Sequence, residues 1–360
     1  MNKNIELGLG KIQSVFVNPY TACTNSCTYC ALGETQSLSN KINLPVLKHH
    51  SFHFIEFIKQ IQNELEENCQ FIFLGGEPLL AWKSWLIPTI DSLHQINSNF
   101  KFRFSTNGVL LTEDKYEDIE KYQIDVNFSL DGPKHVHNLN RKLLSKAGSF
   151  DIAYDNFLNI PHNLSHLLHP CATIHLNTVQ YLPEIFQFIK DTYEIRSFNW
   201  FTMNQTDGFN WTEKELKLFE NGMKQIKEMM PVKFNVNFIP NPPRNQNLIV
   251  NFNSGLIVVK SNELSNPIPS IIGNITKEDG YIFEDKLIDY QKYHHEKRGK
   301  RILPNQDLCN ICPGKDIYCV RKEKEFFNDM TYINLKNFCN HNYILYTIFG
   351  GNYYESRTIS

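Results

Sequence analysis

The chain has 360 residues, 41% of them apolar and 21% charged, a composition typical of a folded protein with a buried core. At this length we expect a main domain with a smaller appended one. The net charge is −2 with acids and bases interspersed, which argues against nucleic acid or an anionic membrane as a partner. No apolar run reaches the ~18 residues of a membrane span. Nine clustered cysteines favour a reducing compartment, and we expect a cytoplasmic protein.

Segments rich in β-forming residues alternate with helical patterns over the first two-thirds of the chain. The predicted strands are Ile12–Val17, Phe71–Leu74, Phe102–Ser105, Val126–Leu130, Ala172–Thr178 and Phe198–Thr202. Apolar stripes from Phe54 to Leu65 and from Leu182 to Ile189 predict amphipathic helices, and Thr212 with Glu215 forms a capping box. Six strand–helix units with right-handed crossovers predict an α/β fold, a partial (β/α)6 barrel.

The pattern changes after Met230. Three prolines between residues 240 and 243 mark a linker, and "LIVNFNSGLIVV" after it predicts a hairpin. We therefore predict a barrel over residues 1–230 and a smaller α+β domain over residues 231–360.

Four motifs each follow one of the first four predicted strands. They are the cysteine loop (residues 23–30, with Cys23, Cys27 and Cys30), "GGEP" (Gly75 to Pro78), "STNG" (Ser105 to Gly108) and "SLDGP" (Ser129 to Pro133). The carboxyl ends of parallel strands meet at one edge, where α/β barrels assemble their sites. The sequence therefore predicts a single site at this edge.

The cysteine loop has the spacing C-x3-C-x2-C, which suits an iron–sulfur cluster or zinc. Three thiolates leave a four-coordinate metal one ligand short, and no histidine or further cysteine follows before His49. Gly75 and Gly76 allow the backbone to approach a ligand closely, and Glu77 beside them can accept an ammonium group.

These motifs resemble the radical S-adenosylmethionine (SAM) enzymes, and the resemblance covers roughly residues 12 to 340. In that family the three cysteines hold a [4Fe–4S] cluster, and the amino and carboxylate groups of SAM occupy its fourth iron. The resemblance implies Gly75, Gly76 and Glu77 at the amino group, and Ser129 and Arg141 on the carboxylate side. The full set of cofactor-binding residues implied is Tyr29, Gly75, Gly76, Glu77, Ser105, Asn107, Ser129, Asp131 and Arg141.

A second cysteine group lies in the C-terminal region: Cys309, Cys312, Cys319 and Cys339. It resembles the extension called SPASM, or its shorter form Twitch, and "IGNI" ahead of it fits the same pattern. The predicted hairpin carries no cysteine, and Glu323 stands where a further ligand would be expected. The resemblance therefore implies one auxiliary [4Fe–4S] cluster held entirely by protein, with a zinc site as the alternative.

The motif set most resembles enzymes that modify ribosomally made peptides. This implies a 5′-deoxyadenosyl radical that abstracts hydrogen from a precursor peptide and leads to an oxidative cross-link, thioether, carbon–carbon or similar. Flavodoxin or ferredoxin is the expected electron donor. Only about a dozen residues precede the first predicted strand, so we expect leader recognition to need another surface or a separate leader-binding protein.

Several alternatives stay open: a small-molecule radical SAM enzyme of cofactor biosynthesis, a sulfatase-maturase-like enzyme, a peptide epimerase, and a non-enzymatic iron–sulfur carrier or zinc protein. An epimerase needs a thiol as hydrogen donor. Cys69 and Cys171 both precede predicted strands and are expected at the opposite end of the barrel, as inert buried thiols. The sequence identifies no catalytic residue beyond the cysteine loop.

Overall fold

The computed structural model describes residues 11–30, 42–198, 200–205, 211–230, 235–237, 247–251, 256–260 and 270–274. The chain divides into two compact units, which are treated separately. The first unit comprises Met1–Thr24, Leu32–Asn127 and Pro242–Gly299, and the second comprises Asn25–Ala31, Phe128–Asn241 and Lys300–Ser360.

The strands confirm the predicted α/β fold, with six parallel strands that alternate with helices. These six are β1 (Ile12–Asn18), β2 (Leu65–Phe73), β3 (Lys101–Thr106), β4 (Asp125–Ser129), β5 (Leu168–Ile174) and β6 (Trp200–Gln205). Four further strands lie in the described residues: β7 (Asn235–Asn237), β8 (Asn247–Asn251), β9 (Leu256–Lys260) and β10 (Ser270–Asn274).

Seven α-helices lie in the described residues. They are α1 (Leu44–Ile61), α2 (Ile87–Ile96), α3 (Tyr116–Lys121), α4 (Lys134–Asn140), α5 (Phe150–Asn159), α6 (Leu182–Ile195) and α7 (Glu213–Met229). None of these helices is both long and apolar enough to cross a membrane.

In the first unit, β1 pairs in parallel with β2 and β2 with β3, and their fully buried side chains include Val15, Phe71 and Phe104. The predicted hairpin is confirmed as antiparallel β8 and β9, with Leu248 opposite Val259. Its first strand extends the sheet, because β8 pairs in parallel with β1. The domain boundary after residue 230 stays a prediction.

In the second unit, β5, β6 and β7 are parallel neighbours. The predicted stripe on α6 is confirmed, since Leu182, Ile185 and Ile189 are fully buried. The predicted capping box at the start of α7 is also present, with the backbone N–H of Thr212 donating to Glu215 Oε2 over 2.9 Å.

Three residues were assigned to the wrong element or to the wrong side of a strand boundary. Leu65 was assigned to a helical stripe, but α1 ends at Ile61 and Leu65 begins β2. Cys69 and Cys171 were expected to precede strands, yet Cys69 lies inside β2 and Cys171 inside β5. The Cys69 side chain is fully buried, and burial raises its pKa to about 12, as for an inert core thiol.

Candidate active site

The turn after β2 packs against the chain just before Cys23. A side chain on Gly75 would place its Cβ 2.5 Å from the carbonyl oxygen of Tyr20, and one on Gly76 would lie 1.9 Å from that of Ala22. The Gly76 N–H donates to Tyr20 O over 2.9 Å. The two glycines therefore permit a close approach to the chain's own backbone, whereas the sequence predicted an approach to a ligand. Their contact with a cofactor stays a prediction.

Glu77 ends this turn with a fully buried carboxylate. Its Oε1 accepts hydrogen bonds from Thr106 Oγ1 (2.8 Å) and from the N–H of Leu79 (3.1 Å), and Oε2 accepts from the N–H of Asn107 (2.9 Å). Burial raises the pKa of Glu77 to about 7, and these hydrogen bonds limit the rise. The carboxylate thus ties the turn after β2 to the residues that end β3.

Asn107, at the end of β3, reaches the first residue of the cysteine loop. Its side-chain Nδ2 lies 2.9 Å from Thr24 Oγ1 and 3.5 Å from Cys23 Sγ, and both Asn107 and Cys23 are buried. The family resemblance implied a role for Asn107 only in cofactor binding. A contact between residues 84 positions apart leaves no signal in a single sequence.

In the second unit, Asp131 after β4 is the centre of a buried polar network. Its Oδ2 lies 2.8 Å from Arg141 Nε and accepts a 2.6 Å hydrogen bond from the Tyr29 hydroxyl. Its Oδ1 accepts from the N–H of Thr173 over 2.9 Å. The Arg141 guanidinium carbon also lies 5.4 Å from the centre of the Tyr29 ring. Three residues predicted from the sequence are therefore brought together here.

The Arg141 guanidinium is the nearby cation for Cys27. Burial raises the pKa of the Cys27 thiol, and Arg141 acts against this rise by favouring the thiolate. Burial is the largest influence on the pKa of Arg141 and acts to lower it, but the charge and hydrogen bond of Asp131 together with Tyr29 and Cys27 outweigh burial, so the net shift is upward and the guanidinium stays charged. Cys27 and Cys30 are half-buried. The ion pair thus keeps positive charge beside a thiol of the loop.

His137 makes further hydrogen bonds with this network, a role that was not predicted from the sequence. Its Nδ1 accepts from the N–H of Asp131 (3.3 Å), so we assign the ring proton to Nε2, which lies 3.1 Å from Ser149 Oγ. The Ser149 hydroxyl donates in turn to the Arg141 carbonyl over 3.0 Å. Burial lowers the pKa of His137 to about 4, so the imidazole is neutral and acts as a fixed spacer.

The remaining predicted residues are described only in part. Ser105 and Ser129 are half-buried in β3 and β4, and Ser105 Oγ lies 3.5 Å from Asn127 Nδ2. The second cysteine group, Cys309, Cys312, Cys319 and Cys339, lies outside the described residues, as does "IGNI" beyond Asn274. The role of each of these residues stays a prediction.

The three thiols of the cysteine loop are ligands of the kind that an iron–sulfur cluster requires. Three thiols lie within eight consecutive residues, and thiolates are the ligands that such clusters take. The described residues of each unit bring no three cysteine, histidine or acidic side chains around one point. Cys23 belongs to the first unit and the other two cysteines to the second. The fit therefore rests on ligand type and spacing.

Comparison with known proteins agrees with these features. Residues 17–189, just under half of the chain, match the family model "Radical SAM superfamily". The chain is 27% identical over 184 residues to the cysteine-type anaerobic sulfatase-maturating enzyme of Clostridium novyi, covering 50% of this chain and 48% of that protein. The namesake from Clostridium perfringens (strain 13) is 31% identical over 133 residues, covering 36% and 35%. The matched segments thus span about half or less of these relatives.

A solved structure extends the likeness in fold. Native anSMEcpe with bound AdoMet and the Cp18Cys peptide superposes with a TM-score of 0.65, covering 93% of this chain and 96% of that one, at 17% identity. At this identity the likeness concerns the fold alone. Together with the motifs at the ends of β1 to β4, the family match leads to one conclusion: residues 17–189 of this chain form a radical SAM domain.

Proposed function

We propose that this protein is a radical SAM enzyme that oxidises a ribosomally made peptide and joins two of its positions by a cross-link. The observation that carries the proposal is the three-thiol loop after β1, inside residues 17–189, with hydrogen-bonded contacts to Cys23 and a paired arginine beside Cys27. The solved protein with a similar fold is named with a bound peptide, which supports a peptide as the substrate class.

The proposal assigns a [4Fe–4S] cluster to Cys23, Cys27 and Cys30, with SAM at the iron that has no protein ligand. When bound, the two together supply a carbon radical that can remove hydrogen from an unactivated carbon. The chain's own residues position the ligands and exclude water. Glu77 fixes the end of β3, and Asp131 fixes Arg141 at the second thiol. The half-buried Ser105 and Ser129, at the ends of β3 and β4, are assigned to SAM.

A net oxidation needs an acceptor for the electron left on the substrate. We assign this role to one auxiliary cluster at Cys309, Cys312, Cys319 and Cys339, because four thiolates leave no site for a substrate. Flavodoxin or ferredoxin would reduce the first cluster, and a separate protein would recognise the leader peptide. The free thiols suit a cytoplasmic setting.

A second candidate is modification of a single residue without a cross-link, and it is considered because the Clostridium relatives are named cysteine-type anaerobic sulfatase-maturating enzymes. The two candidates differ in whether the product contains a new bond between two residues. Fragmentation of the product distinguishes them, because a cross-link prevents backbone cleavage from separating the joined residues.

The proposal is tested by co-expression of the protein with a candidate precursor peptide and mass spectrometry of that peptide. We expect the peptide to lose a pair of hydrogen atoms, with a linked pair of residues in its fragments. The variant Cys27→Ala is the matched control and should leave the mass unchanged. An unchanged mass with one inverted residue would instead identify an epimerase. A peptide altered in neither respect would contradict a peptide maturase.

A further inference from the structure

Asn107 offers two hydrogen-bond donors to two consecutive residues of the cysteine loop. Its Nδ2 lies 2.9 Å from Thr24 Oγ1 and 3.5 Å from Cys23 Sγ, a distance ordinary for an N–H group and a sulfur acceptor. A primary amide carries two hydrogens on this nitrogen, so both contacts can be made at once. The geometry places the amide on a sulfur that the proposed function assigns to the cluster.

The orientation of the amide is determined by its other contacts. Asn107 Oδ1 accepts a 3.0 Å hydrogen bond from the N–H of Val109, so the oxygen faces the backbone and Nδ2 faces the sulfur. The backbone N–H of Asn107 donates to Glu77 Oε2 over 2.9 Å. Because the Glu77 carboxylate is fully buried in the turn after β2, it holds the end of β3 against that turn. The amide is thus preorganised toward Cys23.

We propose that Asn107 is a positioning residue that donates a hydrogen bond to the Cys23 thiolate and tunes the reduction potential of the cluster in the loop. The inference rests on the proposed function, because it requires a cluster at Cys23. Hydrogen bonds to cluster sulfurs stabilise the more negative, reduced state and so raise the potential. Asn107 would thereby make reduction by a biological donor easier.

The test uses the full chain with anaerobically reconstituted clusters. A redox titration follows the paramagnetic resonance signal that changes when SAM is added, which selects the loop cluster. For Asn107→Ala we expect the ratio of reduced to oxidised cluster at a fixed potential to fall about tenfold, equal to a shift of about 59 mV to a more negative potential for one electron. The matched control is Asn99→Ala, an exposed asparagine before β3, which should titrate like the parent.

A second measurement does not depend on a variant that folds. In the parent protein carrying ¹⁵N in its asparagine side chains, electron–nuclear double resonance of the reduced loop cluster should detect one amide nitrogen near the sulfur. A parent without that coupling, or an Asn107→Ala protein that keeps its cluster and its potential, overturns the inference. A parent with no SAM-responsive cluster contradicts the proposed function instead.

Discussion

Replacing Asp131 with alanine is expected to lower the free energy of unfolding by about 3–5 kcal/mol, because it leaves a buried guanidinium without its partner. The side chains of Asp131 and Arg141 are only 1% and 9% exposed, and their charged atoms are 2.8 Å apart. The substitution also removes the acceptor of the Tyr29 hydroxyl and of the Thr173 N–H. Each loss leaves a partly buried polar group without this partner and adds to the destabilisation.

Urea-induced unfolding of the reduced protein measures this effect. Asp151→Ala is the matched control, because Asp151 forms an exposed ion pair with Lys134 at 2.7 Å and should change stability by at most about 1 kcal/mol. The double variant Asp131→Ala with Arg141→Met should recover part of the loss, since it no longer buries an unpaired charge. Equal stability of Asp131→Ala and Asp151→Ala would contradict the role given to the buried pair.

Replacing Gly76 with alanine is expected to destabilise the protein by about 3 kcal/mol or more and to reduce cluster incorporation. The new Cβ would lie 1.9 Å from the carbonyl oxygen of Ala22 and 2.6 Å from the carbonyl carbon of Thr21. Both contacts are with backbone, which cannot move aside as a flexible side chain can. The segment that leads into Cys23 must therefore shift.

Gly222→Ala is the control for the Gly76 substitution. Its Cβ would lie 2.9 Å from the Cβ of the buried Leu182, so α6 or α7 must shift, although alanine itself favours helix α7 by about 1 kcal/mol. We expect a loss of about 1–3 kcal/mol in urea unfolding, with iron content unaltered because the contact involves no residue of the cysteine loop. If Gly76→Ala kept its iron content as this control does, the close packing of the turn against the segment that leads into Cys23 would be wrong.

The fold could be predicted well where strand and turn signals coincide. Strands β1, β3 and β4 lie within one residue of their predicted bounds, because each is a short run of β-forming residues that ends at a recognisable motif, the cysteine loop after β1 and glycine-containing turns after β3 and β4. The prediction of helix and strand boundaries failed where one residue fits both a helical and a strand pattern. Leu65 continues the apolar spacing of α1, yet the chain makes a short turn at Gln62–Glu64 and then enters β2. Nothing local distinguishes these two choices.

Strand β5 was predicted to start four residues too late. Pro170 lies inside it, and a proline lacks the N–H of a strand ladder, so the sequence favoured a start at Ala172. The observed strand begins at Leu168, and tertiary pairing overrides the local signal. The same shift moved Cys171 from before the strand to its middle, which removes the stated reason for placing it away from the predicted site.

The candidate site was predictable in its residue types but not in its partnerships. Spacing identified the three thiols, and the double glycine identified a close backbone approach. The contacts of Glu77 with Thr106 and of Asp131 with Tyr29 join residues far apart in the chain, and only the folded structure pairs them. Contacts between residues far apart in the chain produce no periodic pattern in a single sequence, so they could not be predicted from it.

The central claim is that the thiols of the cysteine loop carry a cluster that cleaves SAM, and the formation of 5′-deoxyadenosine tests it most directly. The reconstituted protein is incubated anaerobically with SAM and dithionite, and the product is quantified by chromatography. We expect turnover in the parent and in Cys69→Ala, a buried thiol outside the loop, and none in Cys23→Ala, Cys27→Ala or Cys30→Ala. Absence of 5′-deoxyadenosine in the parent, or its persistence in the three loop variants, would contradict the claim.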